Sequence, residues 1–303
     1  MQLHNIHLRR IYWAIFSPSL LSYPFSTNYI RDEEHRQAII ALLEALDTES
    51  TAVDEHFASL GNVPMGKYFE QLLFFILEKD DRFEILLKNH QIIEGRRTVG
   101  EIDLILKDAK TGEIEHWEIA LKYYLQSKPT EDHAAMLGPN AVDNLARKMK
   151  KLTEHQLPIK TDLNNFAPLD NQHISNKLLL KGQFFYHLCH VQPCNIFPNH
   201  INPIHDSGWW CYLSEIEKSI DKNLLWTTLQ KPNWIGKIEQ YSNLNSLNFN
   251  QIKEALKQYF HDNSRAILCV GLKEKNGVWT EHSRGFVVND DWPNGSKKMI
   301  ATM

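Results

Sequence analysis

The segment from 100 to 122, GEIDLIL followed by HWEIALKYY, constrains the chain more than any other. Alternate residues of a strand share a face. Glu101, Asp103 and Ile105 therefore point one way, while Ile102, Leu104 and Leu106 point into an apolar layer. The same alternation puts Glu118, Ala120 and Lys122 on one face of the next strand, and the turn-rich KDAKTG joins the two runs as a meander. If the strands pair, Asp103 sits opposite or diagonal to Glu118. Two carboxylates roughly 4 Å apart repel by about 4 kcal/mol at an effective dielectric near 20. A shifted pKa or a cation must relieve that repulsion. Magnesium or manganese answers the requirement, since magnesium takes one or two carboxylates and completes its shell with waters and substrate phosphate. The Ile119 carbonyl is a further oxygen donor. Lys122 is the lysine on that face, placed to orient an attacking water and stabilise transition-state charge. A half-solvated sheet face shows the same alternation of acid and lysine. The apolar company of Trp117, Ile119, Leu121, Tyr123 and Tyr124 weighs against that simpler reading.

Upstream, GKYFEQLLFFILEKD has the length of a helix and lacks an internal breaker, and its nearly all-apolar faces predict burial. Glu70 lies inside it. A buried carboxylate needs a partner, which is either a nearby lysine or arginine, or a metal shared with Asp103 and Glu118. Runs at 83–93, 100–106 and 114–125 predict three strands. Pro139 opens a helix reaching about His155, and a fourth strand follows over 183–188. This α-β-β-β-α-β order is that of a restriction-endonuclease-like core, an α/β fold with a mixed sheet flanked by helices. Residues 1–60 read as a helical lead-in, 61–190 as the core and 191–303 as an α+β extension. The extension carries strands at 209–213, 266–272 and 279–288 and a helix at 249–259.

Among 303 residues, 43% are apolar, enough for a substantial core, and the formal charge of −4 argues against coating nucleic acid through bulk positive charge. The four cysteines lack the density of a disulfide scaffold and read as free thiols. With no membrane-length apolar run and a first apolar stretch stopped by Ser17-Pro18, the expectation is a cytoplasmic, soluble protein without a membrane partner.

GKYFEQLLFFIL, GEIDLIL, HWEIALKYYL and MLGPNAVDNLARKMKKLTEHQL, with GWW at 208–210 and the late RGFVV and DWP segments, resemble a bacterial domain-of-unknown-function family within the PD-(D/E)XK nuclease superfamily. The resemblance runs across most of the chain. It implies a magnesium- or manganese-dependent deoxyribonuclease, with roles falling on Glu70 in the first helix, Asp103 on the second strand, Glu118 on the third and Lys122 beyond it. The superfamily's usual third-strand pattern is acid-x-lysine. Here position 120 is alanine and the lysine comes one strand period later, roughly 13 Å along the strand from Glu118. The lysine must fold back, or a bulge must shorten the gap. The alternative is a nuclease-derived module that grips nucleic acid or a protein without cutting.

Arg96 and Arg97 before GEID, with Arg147, Lys148, Lys150 and Lys151 on the later helix, form a candidate phosphate track for DNA. A solvated helix face is the competing reading, because Asp143 and Glu154 share that segment. Cys189, Cys194, His200 and His205 invite a zinc reading that their loose, proline-interrupted spacing weakens. Asp290 and Asp291 read as a turn. Exposed tryptophans at 209, 210 and 234 would mark an interaction patch. Phosphate-binding glycine loops, nucleophile elbows and dinucleotide fingerprints are missing from the sequence, which removes ATPase, esterase and Rossmann readings.

Overall fold

Alternation between 83 and 126 yields three long strands, β1 (Phe83–Glu94), β2 (Arg97–Asp108) and β3 (Ile114–Gln126). They stand in a computed structural model that describes residues 2–22, 26–94, 96–152, 154, 173–188, 198–240 and 246–294. The architecture is mixed α/β. Two compact units divide the chain, residues 1–121 with 149–181 and residues 122–148 with 182–303, and β3 and the later β5 (Ile174–His187) contribute to both.

The first unit has the strand order β1-β2-β3-β5. β1 and β2 pair antiparallel from Phe83–Asp108 to Glu94–Arg97, and β2 pairs with β3 from Leu104–Trp117 to Lys107–Ile114. The helices are α1 (Ile6–Phe16), α2 (Glu33–Thr48), α3 (Thr51–Ser59) and α4 (Met65–Leu77). Asn5 caps α1 by accepting the His7 and Leu8 amides, and Asp32 caps α2 by accepting that of His35. α4 buries Tyr68, Phe69 and every residue from Leu72 to Leu77, as its apolar faces predict. Ile105, expected on the polar face of β2, is instead buried with Ile102 and Ile114 in a cluster packed by Leu86, Leu87, Ile92 and Ile174. A second apolar layer thus covers that position.

β5 begins nine residues before the expected start at 183, because ISNKLLLKG also extends. Its Lys181 is fully buried and donates to the carbonyls of Ile15 and Ser17, satisfying the end of α1. α5 (Leu145–Lys151) is shorter than the expected helix from Pro139. The Asn144 side chain accepts the Arg147 amide and supplies the cap, so Pro139 and Asp143 lie ahead of the helix.

In the second unit the end of β5 runs parallel to β6 (Ser207–Tyr212), and β6 runs parallel to β10 (Val278–Val288). β10 pairs antiparallel with β9 (Ile267–Lys275), and β9 with β7 (Leu225–Leu229), a strand the sequence reading missed. The two-residue strands β4 (Met136–Leu137) and β8 (Glu239–Gln240) join β3 and β10, and α6 (Ile216–Ser219) follows β6. α7 (Phe249–Asp262) is closed by an Asn248–Gln251 capping box and packs Ile252 and Leu256 against Trp226, Cys211 and Val287. Trp210 and Trp234 are buried and Trp209 is half-buried, so they form core rather than the anticipated exposed patch. Cys211 and Cys269 are free and buried, as expected of thiols in a core.

Candidate active site

The β2–β3 ladder ends at Leu104–Trp117, and the register carried one step further sets Asp103 opposite Glu118. At that step the Ile119 amide donates to Asp103 Oδ2 at 2.8 Å. A side-chain carboxylate thus takes a main-chain donor where the ladder has stopped. The expected partners Asp103 and Glu118 thus lie one step past the last pair of the ladder. Asp103 is half-buried, and Glu118 is 2% exposed.

α4 brings the remaining charged groups. Lys67 Nζ donates to Glu70 Oε2 at 2.7 Å, Asn89 Oδ1 at 3.0 Å and Glu101 Oε1 at 3.3 Å. Asn89 adopts φ of 50° on β1, between the Lys88–Leu104 and His90–Ile102 pairs. That position is the level of Asp103. Burial raises the Glu70 carboxyl above the ordinary range; Lys67 opposes the shift and Glu101 adds to it. Burial also works against the Lys67 charge, but Glu70 and Glu101 outweigh it and hold the ammonium above its usual value. Glu70 therefore pairs with a lysine one helical turn away, one of the two partners the sequence left open. Lys67 itself escaped the sequence reading. The i, i+3 spacing to Glu70 was its available signal.

Lys122 belongs to the second unit, where its Nζ donates to Asp143 Oδ2 at 3.0 Å. The backbone there is tightly held: a Cβ on Gly182, at φ +142°, would lie 1.7 Å from the Lys122 carbonyl oxygen. β5 can approach β3 so closely only with glycine at 182. The nearby Tyr124 hydroxyl is buried, and burial together with the Asp143 charge pushes its pKa well up.

The candidate phosphate contacts disperse along the chain. Arg96 is exposed at the β1–β2 turn, and the side chain of Arg97 lies outside the described residues. Arg147 is exposed and donates to the Val142 carbonyl at 2.7 Å, Lys148 is half-buried, Lys151 is exposed, and Lys150 lies 3.9 Å from Glu154. Of the zinc candidates, Cys189 and Cys194 lie outside the described residues. His205 is engaged by the Tyr186 hydroxyl and the Asn202 carbonyl. Among the described residues no three His, Cys, Asp or Glu side chains gather as a metal-holding group. No described helix is long and apolar enough to cross a membrane.

The profile of the domain of unknown function DUF1853 matches residues 9–288. The chain belongs to the DUF1853 family. That match takes in α4, the acid-bearing strands and the second unit through β10, so site and family coincide in sequence. No curated protein and no solved structure matches the chain.

Proposed function

We propose that this DUF1853 protein is a divalent-metal-dependent phosphodiesterase acting on DNA, built on a restriction-endonuclease-like core. The observation that carries the reading is the ladder break, where Asp103 takes the amide of Ile119, the residue after the buried Glu118. The order α4, β1, β2, β3, β4, α5, β5 contains the succession expected of such a core, with the two-residue β4 added before α5. The donor set fits magnesium or manganese, because two hard carboxylates on adjacent strands suffice when waters and a substrate phosphate complete the shell. Asp103 and Glu118 would hold the ion, with Glu70 beside them. When bound, such an ion lowers the pKa of water and polarises a phosphoryl oxygen.

The chain's own residues have separate tasks in this reading. The Ile119 amide fixes the Asp103 carboxylate at the edge of the ladder. Lys67 draws Glu70 and Glu101 to one end of α4 and presents an ammonium beside the acid strands, a position from which it can meet a phosphate oxygen. Lys122, the ammonium that the sequence pattern assigned to the site, holds Asp143 within the second unit.

A second reading, a nuclease-derived module that binds without cutting, draws on one observation: both ammonium groups already hold carboxylates, Lys67 with Glu70 and Lys122 with Asp143. Cleavage of labelled single- and double-stranded DNA with magnesium or manganese separates the two. The phosphodiesterase reading expects metal-dependent cutting that falls by at least ~100-fold in Asp103→Ala while the circular dichroism spectrum is unchanged. Binding without cutting in either metal would replace it with the module.

A further inference from the structure

Lys67 stands in the first turn of α4 with its ammonium inside a ring of oxygens drawn from three elements. It donates to Glu70 Oε2 on its own helix at 2.7 Å, to Asn89 Oδ1 on β1 at 3.0 Å and to Glu101 Oε1 on β2 at 3.3 Å. An ammonium carries three N–H donors, so each has its acceptor. An ordinary i, i+3 pair needs only Glu70; two further oxygens converging from separate strands are what a seat for a cation requires. Asn89 reaches the ring from a φ of 50°, a left-handed conformation that asparagine tolerates better than most residues. Burial works against the Lys67 charge, but Glu70 and Glu101 outweigh it and keep the group protonated beyond its usual range. Glu101 shares its face of β2 with Asp103, their Cα atoms roughly 7 Å apart at strand rise. Asn89 lies at the level of Asp103, between the Lys88–Leu104 and His90–Ile102 pairs. The ring therefore borders the acid strands.

We propose that the Lys67 ammonium is a built-in second cation, seated by Glu70, Asn89 and Glu101 beside the place where Asp103 and Glu118 hold a divalent ion, so that the centre loads one metal ion rather than two. The inference rests on the metal-dependent reading of the site and fixes its ion count. Two carboxylates and an amide oxygen are donors that a hard divalent cation takes, yet a lysine of the chain itself holds all three. A metal ion entering the ring has to expel the ammonium, because two positive charges at that range repel strongly. In a two-ion phosphodiesterase the pair of cations clamps the attacking and leaving oxygens of the phosphate. An ammonium fixed at three points supplies the second positive charge without a second metal. Lys67 is on this account a positioning residue, and the single ion stays with Asp103 and Glu118.

The test counts manganese ions bound by the full chain, by calorimetric titration of manganese chloride into wild type, Lys67→Ala, Lys67→Arg and the K67A/E101Q double variant. The Lys67 side chain is 40% exposed, so its truncation opens the ring without emptying the core. Lys67→Ser is titrated alongside, so that misfolding of one variant, seen by circular dichroism, does not decide the count. Wild type is expected to bind one ion and Lys67→Ala two. The added site should weaken at least ~10-fold in K67A/E101Q, where the ring has lost a charged ligand. Lys67→Arg, which keeps a positive charge in the ring, should hold the count at one. One ion in the alanine and serine variants, or two in the wild type, overturns the seat and leaves the ion of Asp103 and Glu118 standing. An absence of manganese binding in the wild type overturns the metal-dependent reading and this inference with it.

Discussion

Around α2, Asp32, Asp80 and Asp108 are wired into a charged network, whereas on α4 Glu70 meets a single lysine, and the two groups of carboxyls move in opposite directions. Asp80 accepts the Tyr29 hydroxyl at 2.7 Å and His35 Nε2 lies 2.9 Å away; burial pulls its pKa up, but these partners and the Arg82 amide hold it below the ordinary range. Asp108 is likewise held down against burial by Arg82, at 2.7 Å, and by the Thr111 and Lys110 amides. Asp32 is lowered first by the His35 amide and then by Arg82. Arg31 closes the region by bonding Glu115, which also accepts the Trp117 indole at 2.6 Å. Glu70, by contrast, is raised by its burial despite Lys67. Carboxyls held low by several donors are structural anchors, while a buried carboxyl held high is in an environment that favours a proton or an added cation. Both groups flank the same strands, so the contrast separates what folds the unit from what the unit presents.

The largest effect tests the anchoring side. Asp80→Ala strips the partner from the fully buried Tyr29 and from His35, and should cost about 3 kcal/mol in urea unfolding. A loss under about 1 kcal/mol would erase the distinction. Lys67→Met leaves Glu70 and Glu101 facing each other. It is expected to cost about 1 kcal/mol of stability and, if the ammonium meets phosphate, to lower cleavage at least ~10-fold with little change in KM. Unchanged turnover would confine Lys67 to packing. The smallest effect is the pH profile of Glu70→Gln. The folded Glu70 carboxyl is raised, so the folded state binds the proton more tightly, and wild-type stability declines as pH rises from the ordinary glutamate value through the raised one. Subtracting the glutamine variant should isolate that decline at below about 1 kcal/mol. A wild-type advantage over the variant that instead grows as pH rises would reverse the assigned sign.

Legibility in the sequence follows the same division. Strands 83 to 126 and the all-apolar α4 could be read because a half-buried strand and a fully buried helix leave opposite signatures, period two and no period. The acids stood out for the same reason, as polar breaks on alternating strands. β5 was read short because burial on both faces removes alternation and a carbonyl-bound lysine stands in its core at 181. α5 was read long because proline in a first turn resembles a helix start, whereas the local cap is Asn144. The tryptophans at 209, 210 and 234 were misjudged since an amphipathic ring shows its environment only through contacts: Trp210 donates to the Gln126 carbonyl and Trp234 to that of Leu229. Lys67 stayed hidden because its role depends on Asn89 and Glu101, which pairing brings to it from other strands.

The central claim is that Asp103 and Glu118 at the end of the β2–β3 ladder hold a divalent ion. Calorimetric titration of manganese into the wild type and into Asp103→Asn tests it without reference to any substrate. The account predicts one site in the wild type that weakens at least ~10-fold in the variant, whose unfolding free energy in urea changes by less than about 1 kcal/mol. Equal manganese binding by the two proteins would contradict it.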